Sequence, residues 1–232
     1  MPWVSTVSVG LPQDEEWAGP LRRTAIVKRP VQGAVAVHLL GLGGDAVADT
    51  RNHGGPDKAV YAFAREDLDW WGRELGRRLE DGIFGENLTT CGIDVNEAEV
   101  GERWRIGSAL LEVCSIRIPC SVFAGWMRAS GIDSRQWIRR FTAVARPGPY
   151  LRVLEEGSLA AGDEIVVEHR PGHGVTISTM FRALTTDRRL LPELLRVDGL
   201  TAQARATAEA WLAEQQPVGL DARAQRPRDL AG

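Results

Sequence analysis

Over most of its length the chain carries apolar residues in short runs or in alternation with polar ones, cut at close intervals by glycine. This pattern predicts short strands over 4–9, 24–28, 35–40, 59–63, 88–90, 103–106, 109–116, 150–154 and 164–168. Helical spacing takes over in fewer places. Leu68, Trp71, Leu75 and Leu79 recur at three or four residues and predict a helix from Asp67 to about Glu80, with Gly82 as its stop. A second helix follows Cys120. In a third, Asp133 is the expected cap, Trp137, Ile138, Phe141 and Val144 share one face, and Pro147-Gly148-Pro149 ends it. Many short strands with glycine turns and inserted helices predict a mainly β (α+β) fold, either a barrel or a folded sheet.

The pattern changes at Arg170-Pro171-Gly172-His173-Gly174. Beyond this linker no strand is predicted, and residues 179–184, 187–196 and 201–214 read as three short helices, the last two capped by Asp187 and Thr201. From Pro217 the chain is rich in Ala, Arg and Pro and poor in apolar residues, which predicts disorder. The expected organisation is a β domain over 1–170, a small all-α C-terminal domain over 175–216 and a disordered tail over 217–232. The helices are expected either to pack on the β domain or to form a homodimer or partner interface.

Composition narrows the partners. A formal net charge of -3 argues against nucleic acid as the main ligand. No run of about 18 apolar residues occurs, which argues against membrane insertion. Met1-Pro2-Trp3-Val4-Ser5 lacks the basic and apolar regions of a signal peptide. Three cysteines without paired spacing give neither a disulfide framework nor a CxxC metal site, so a reducing, cytoplasmic setting is expected. Most of the tryptophans fall in helical patterns and read as core or interface anchors.

Candidate chemistry centres on Cys120, which closes Ile116-Arg117-Ile118-Pro119-Cys120 where strand gives way to helix. Proline fixes its own φ and so aims the next residue, and a helix N-terminus favours a thiolate. Such a thiolate could attack, carry sulfur or bind a soft metal. Cys91 and Cys114 lie in strand-like or turn settings and read as space-filling. Two glycine-containing segments add polar groups. Asn52-His53-Gly54-Gly55-Pro56-Asp57-Lys58 could cradle an anion or be an ordinary turn, and Gly85-Glu86-Asn87 could meet the edge of a heterocycle or again be a turn. His38 reads as a core histidine on an apolar strand.

Taken in order, Lys28-Arg29-Pro30, Gly41-Leu42-Gly43-Gly44-Asp45, His53 to Ala59, Gly85-Glu86-Asn87-Leu88, Val100-Gly101-Glu102, Arg117-Ile118-Pro119-Cys120 and Ala161-Gly162-Asp163 resemble the MOSC family, the domain shared with molybdenum-cofactor sulfurases. The helical end looks like the three-helix extension of its YiiM-type bacterial branch. The resemblance implies a distorted β-barrel with inserted helices that holds the molybdenum cofactor, Mo-molybdopterin. Cys120 would be the metal ligand and catalytic residue. Lys28, Lys58 and Arg117 would hold the cofactor phosphate, and His53, Gly54, Gly55, Asp57, Glu86 and Asn87 would line the pterin or relay protons. It further implies reduction of a small N-hydroxylated substrate, of the hydroxylaminopurine or amidoxime type, to amine and water. A separate reductase would supply the electrons. The alternatives are a sulfur carrier with a Cys120 persulfide and a non-catalytic molybdopterin-binding protein.

Overall fold

The computed structural model describes residues 1–49 and 54–215, so the expected disordered tail and His53 lie outside the described residues. The largest layer is an eight-stranded mixed sheet in the order β13-β9-β10-β11-β7-β8-β1-β4. Its strands are β1 (Trp3–Val9), β4 (Arg29–Pro30), β7 (Val60–Ala64), β8 (Leu88–Cys91), β9 (Arg103–Ile106), β10 (Ala109–Ile116), β11 (Pro149–Glu155) and β13 (Ile165–His169). A three-stranded sheet joins β12 (Gly157–Leu159), β5 (Val35–His38) and β6 (Gly41–Leu42), and a two-stranded ribbon joins β2 (Gln13–Asp14) to β3 (Arg23–Thr24).

Two central strands show why their sequences are continuously apolar. All of β7 and β10 are buried, and β7 pairs in parallel with β8, a geometry that requires a crossover and leaves both faces covered. The crossover carries α1 (Arg65–Glu74). Gly148, at φ +69°, lies where a Cβ would stand 2.3 Å from the Ala62 carbonyl oxygen, so glycine is what lets β11 begin against β7.

The sheet curls strongly but does not close. At one end Trp3 makes an isolated bridge to Glu164, and the Val4 and Ile165 amides donate to the Asp163 and Pro2 carbonyls at 2.9 Å each. No ladder continues from that bridge among the described residues. The expected barrel is therefore an open sheet whose first strand touches the turn into its last. The curl itself is helped by register shifts in the pairings of β1 with β8 and of β10 with β11.

Other expectations shift for local reasons. Residues 25–28 form no strand, because the chain there crosses the sheet edge between two short pairings. The first helix stops at Glu74, since the chain turns back through Gly76 at φ +65° and returns Leu79 to the core from a loop. Asp133 does not cap α3 (Trp137–Val144). Its carboxylate instead accepts from the Arg135 backbone and pairs with the Arg135 guanidinium at 2.9 Å. His38 is exposed rather than in the core, on the polar face of alternating β5.

An aromatic core lies between the sheet and α1, α2 (Ser121–Ala129) and α3. Phe84 is its hub, with ring centroids 5.1–6.2 Å from Phe63, Trp71, Phe123, Trp137 and Phe141. Pairs of this kind contribute roughly 0.5–1.5 kcal/mol each beyond burial. Phe84 thereby anchors the Gly85-Glu86-Asn87 turn that follows it. The C-terminal helices α4 (Ile177–Thr185), α5 (Leu191–Leu194) and α6 (Ala202–Gln215) extend the same core. Phe181 lies 6.5 Å from Phe141, and the Ser178 hydroxyl donates to the Ala145 carbonyl.

Candidate functional site

Strand alternation continues past the last ladder bond of β10, so Arg117 points inward and is 6% exposed while Ile118 points out at 49%. Pro119, which has no N–H to donate, lies between the strand and the helix. Cys120 follows in an extended conformation at the N-cap of α2, where its carbonyl accepts the first helical bond from Ala124 at 3.1 Å. The thiol is partly exposed and lines a cavity of about 450 Å³.

Arg117 lies in the wall of the same cavity. Its guanidinium stacks over Phe123 at 4.9 Å and Tyr61 at 5.7 Å, and Nη1 donates to the Tyr150 hydroxyl at 3.3 Å. Nε and Nη2 are buried and hydrogen-bond to no group among the described residues. Burial is the largest influence on Arg117 and works against its charge, but Tyr150, Tyr61 and Cys120 outweigh it and hold its pKa above the ordinary value. A buried cation with two unused donors is a demand for an anion.

Lys28 sits on the cavity floor but is already engaged. Its ammonium is bonded to the Asp45 carboxylate, both side chains being 8% exposed. Burial pushes the Lys28 pKa down against the pull of Asp45. The same carboxylate accepts from the Gly10 amide at 2.7 Å and from Asn87 Nδ2 at 2.9 Å. Asn87 completes its set by donating to the Ser8 carbonyl at 3.2 Å and accepting from the Tyr61 amide at 3.0 Å. Both amide hydrogens are thus spent on the protein, and Asn87 is a brace beneath the cavity.

Glu86 is fully buried and does not line the cavity. Its carboxylate accepts from the Gly82 and Phe84 amides at 2.7 and 2.9 Å and from the Thr89 hydroxyl at 3.2 Å. Burial raises its pKa to about 7, against these hydrogen bonds. Its place is under the turn that presents Gly85 to the cavity; there a Cβ would come within 2.8 Å of Ile26. Asp57 also lies off the cavity wall, because Arg152 holds its carboxylate at 2.5 and 2.8 Å beside Glu112. Gly54, Gly55 and Lys58 do line the cavity. Lys58 is half-buried, and desolvation lowers its pKa against Asp57 and Asp49.

The structure thus brings Lys28, Gly54, Gly55, Lys58, Asn87, Arg117 and Cys120 to one cavity and sets Asp57 and Glu86 behind it. Sequence reasoning passed over Asp45, Tyr61 and Tyr150 as site residues. Asp45 had a local signal, an acid directly after Gly41-Leu42-Gly43-Gly44, whereas the two tyrosines look like ordinary strand residues. The lining also includes the apolar residues Leu40, Ala46, Val47, Ala48 and Val122.

A cysteine at a helix N-terminus and a buried arginine with unused donors line one cavity on a curled mixed sheet, a set of groups chemically suited to an anion and to a soft metal. The chain belongs to the MOSC domain family, whose model matches residues 49–166. YflK of Bacillus subtilis (strain 168) is 31% identical over 210 residues, 90% of this chain and 91% of that protein. A protein named Reductase from Gibberella moniliformis is 28% identical over 180 residues, 73% of this chain and 30% of that protein. The crystal structure of YiiM from Geobacillus stearothermophilus matches with a TM-score of 0.75 at 26% identity, over 91% of this chain and 100% of that one. Proteins of this family are associated with the molybdenum cofactor. No helix among the described residues is long and apolar enough to cross a membrane.

Proposed function

We propose that the cavity holds the molybdenum cofactor, with Cys120 as the protein's ligand to the metal, and that the protein reduces N-hydroxylated compounds of the hydroxylaminopurine or amidoxime type to amine and water. The observation that carries this reading is the presence of Arg117, with two unused buried donors, and of the Cys120 thiol in the lining of one cavity. The residues present suit the group: a guanidinium matches a phosphate, and a thiolate suits a soft metal. When bound, the cofactor supplies a centre that exchanges two electrons, which no side chain here can do.

The chain's own residues do the rest. Arg117 binds the phosphate through Nε and Nη2, with Lys58 contributing positive charge at the mouth. Asp45 neutralises Lys28, which leaves Arg117 as the principal anion anchor. Asn87 and Glu86 fix the floor, and the apolar residues Leu40, Val47 and Val122 exclude water around the substrate. The electrons come from a separate donor reductase. The name of the fungal relative supports a reductive role.

The test is turnover of an N-hydroxylated panel by cofactor-loaded protein with an artificial reductant. Amine formation that depends on bound molybdenum supports the reading. Loaded protein that reduces no member of the panel overturns it, and metal-free protein carrying cyanide-releasable sulfur on Cys120 would point to sulfur carriage instead.

A further inference from the structure

The reduction of an N–O bond consumes two electrons and two protons, so the cavity needs a proton donor as well as an electron source. The described residues that line it include three hydroxyl side chains, Thr24, Tyr61 and Tyr150. Thr24 accepts from the Ile26 amide at 3.2 Å within its own turn. Tyr61 donates to the Pro147 carbonyl at 2.7 Å, so its proton is spent inside the protein. Tyr150 differs from Tyr61 in that its oxygen only accepts, from Arg117 Nη1 at 3.3 Å, and its own proton goes to no group among the described residues; it differs from Thr24 in that its partner is a cation.

The placement of Tyr150 is fixed on every side. Its backbone pairs with Tyr61 across β7 and β11, its ring lies 5.1 Å from the Tyr61 ring, and it is 7% exposed. Arg117, which bonds the phenol, lines the same cavity as Cys120. A donor held this way loses little freedom when substrate arrives, and a guanidinium bonded to the phenol oxygen compensates the charge left there when the proton departs.

We infer that Tyr150 is the catalytic proton donor to the oxygen that leaves the substrate, a role that rests on the reductase reading above. In the balanced reaction R–NH–OH takes up two electrons and two protons to give R–NH2 and water, and the N–O bond breaks. Tyr150 delivers one proton to the departing oxygen, and solvent supplies the other and then restores the phenol through the cavity mouth. The two electrons would be supplied by the bound cofactor and replenished by a redox partner protein.

The experiment compares wild type with Tyr150→Phe, which keeps the ring contacts, after loading both in a cofactor-producing host. Metal and pterin per chain, and affinity for the amine product from tryptophan fluorescence, should match wild type. With artificial reductant, kcat should fall about 10²- to 10⁴-fold with KM little changed. A variant as fast as wild type overturns the inference. So does a variant that has lost metal or pterin, because Tyr150 would then serve loading. A loaded wild type that reduces no N-hydroxylated compound defeats the underlying reading, and the inference with it; that result is told apart by its appearance in the wild-type arm.

Discussion

Asn87 Nδ2 donates to Asp45 Oδ2 at 2.9 Å, tying the start of β8 to the turn after β6 across the floor of the cavity. Through this bond the amide, the Asp45 carboxylate, Lys28 and the Gly10 backbone act as one unit. Replacing Asn87 with Ala leaves the Tyr61 amide, the Ser8 carbonyl and one Asp45 oxygen short of partners in a buried setting. The expected loss is about 2–4 kcal/mol of stability, measured by urea unfolding. A loss below the error of that measurement would mean that Asn87 is no brace.

Arg117 should show the opposite balance. Its charge is buried with two unused donors, so Arg117→Met removes a desolvation cost and keeps much of the packing against Phe123 and Tyr61. Stability is expected at or above wild type, by up to about 4 kcal/mol. Binding of inorganic pyrophosphate by cofactor-free protein, followed by calorimetry, should weaken at least about tenfold. Reduced stability with unchanged binding would place the value of Arg117 in the fold alone.

Glu86 makes stability depend on pH in a set direction. Its folded pKa of about 7 lies above the ordinary carboxyl value, so between these the folded chain holds a proton that the unfolded chain has released. The contribution is therefore complete below the unfolded value and is lost as pH rises through about 7. The cost is on the order of 3 kcal/mol between pH 4 and 8. Unfolding free energies across that range should show the fall, and Glu86→Gln should flatten it. An unchanged slope in the variant would assign the dependence to other groups.

What the sequence made legible follows how local each cause is. The strand 103–106 and the strand 109–116 coincide with β9 and β10, and Cys120 falls at a helix N-terminus, because alternation and a proline act over a few residues. Asp57 and Asn87 could not be placed the same way. The partner that turns Asp57 off the cavity, Arg152, is 95 residues away, and Asp45 is 42 residues from Asn87. The burial of Glu86 depends on Phe84 being the hub of an aromatic core gathered from five segments. Sheet closure was equally out of reach, since it depends on curl accumulated over eight strands and ends in a single bridge at Trp3. Tyr150 stayed hidden because its distinction is a bond to Arg117, 33 residues away, which only the folded site shows.

Whether Cys120 and Arg117 share one bound molybdenum–pterin group is read from the metal and pterin content of wild type, Cys120→Ser and Arg117→Met purified from a cofactor-producing host. Wild type should carry stoichiometric molybdenum and pterin, Cys120→Ser should lose metal retention at an unchanged thermal midpoint, and Arg117→Met should lose both. Wild type without molybdenum, or molybdenum retained in full by Cys120→Ser, would contradict a shared group.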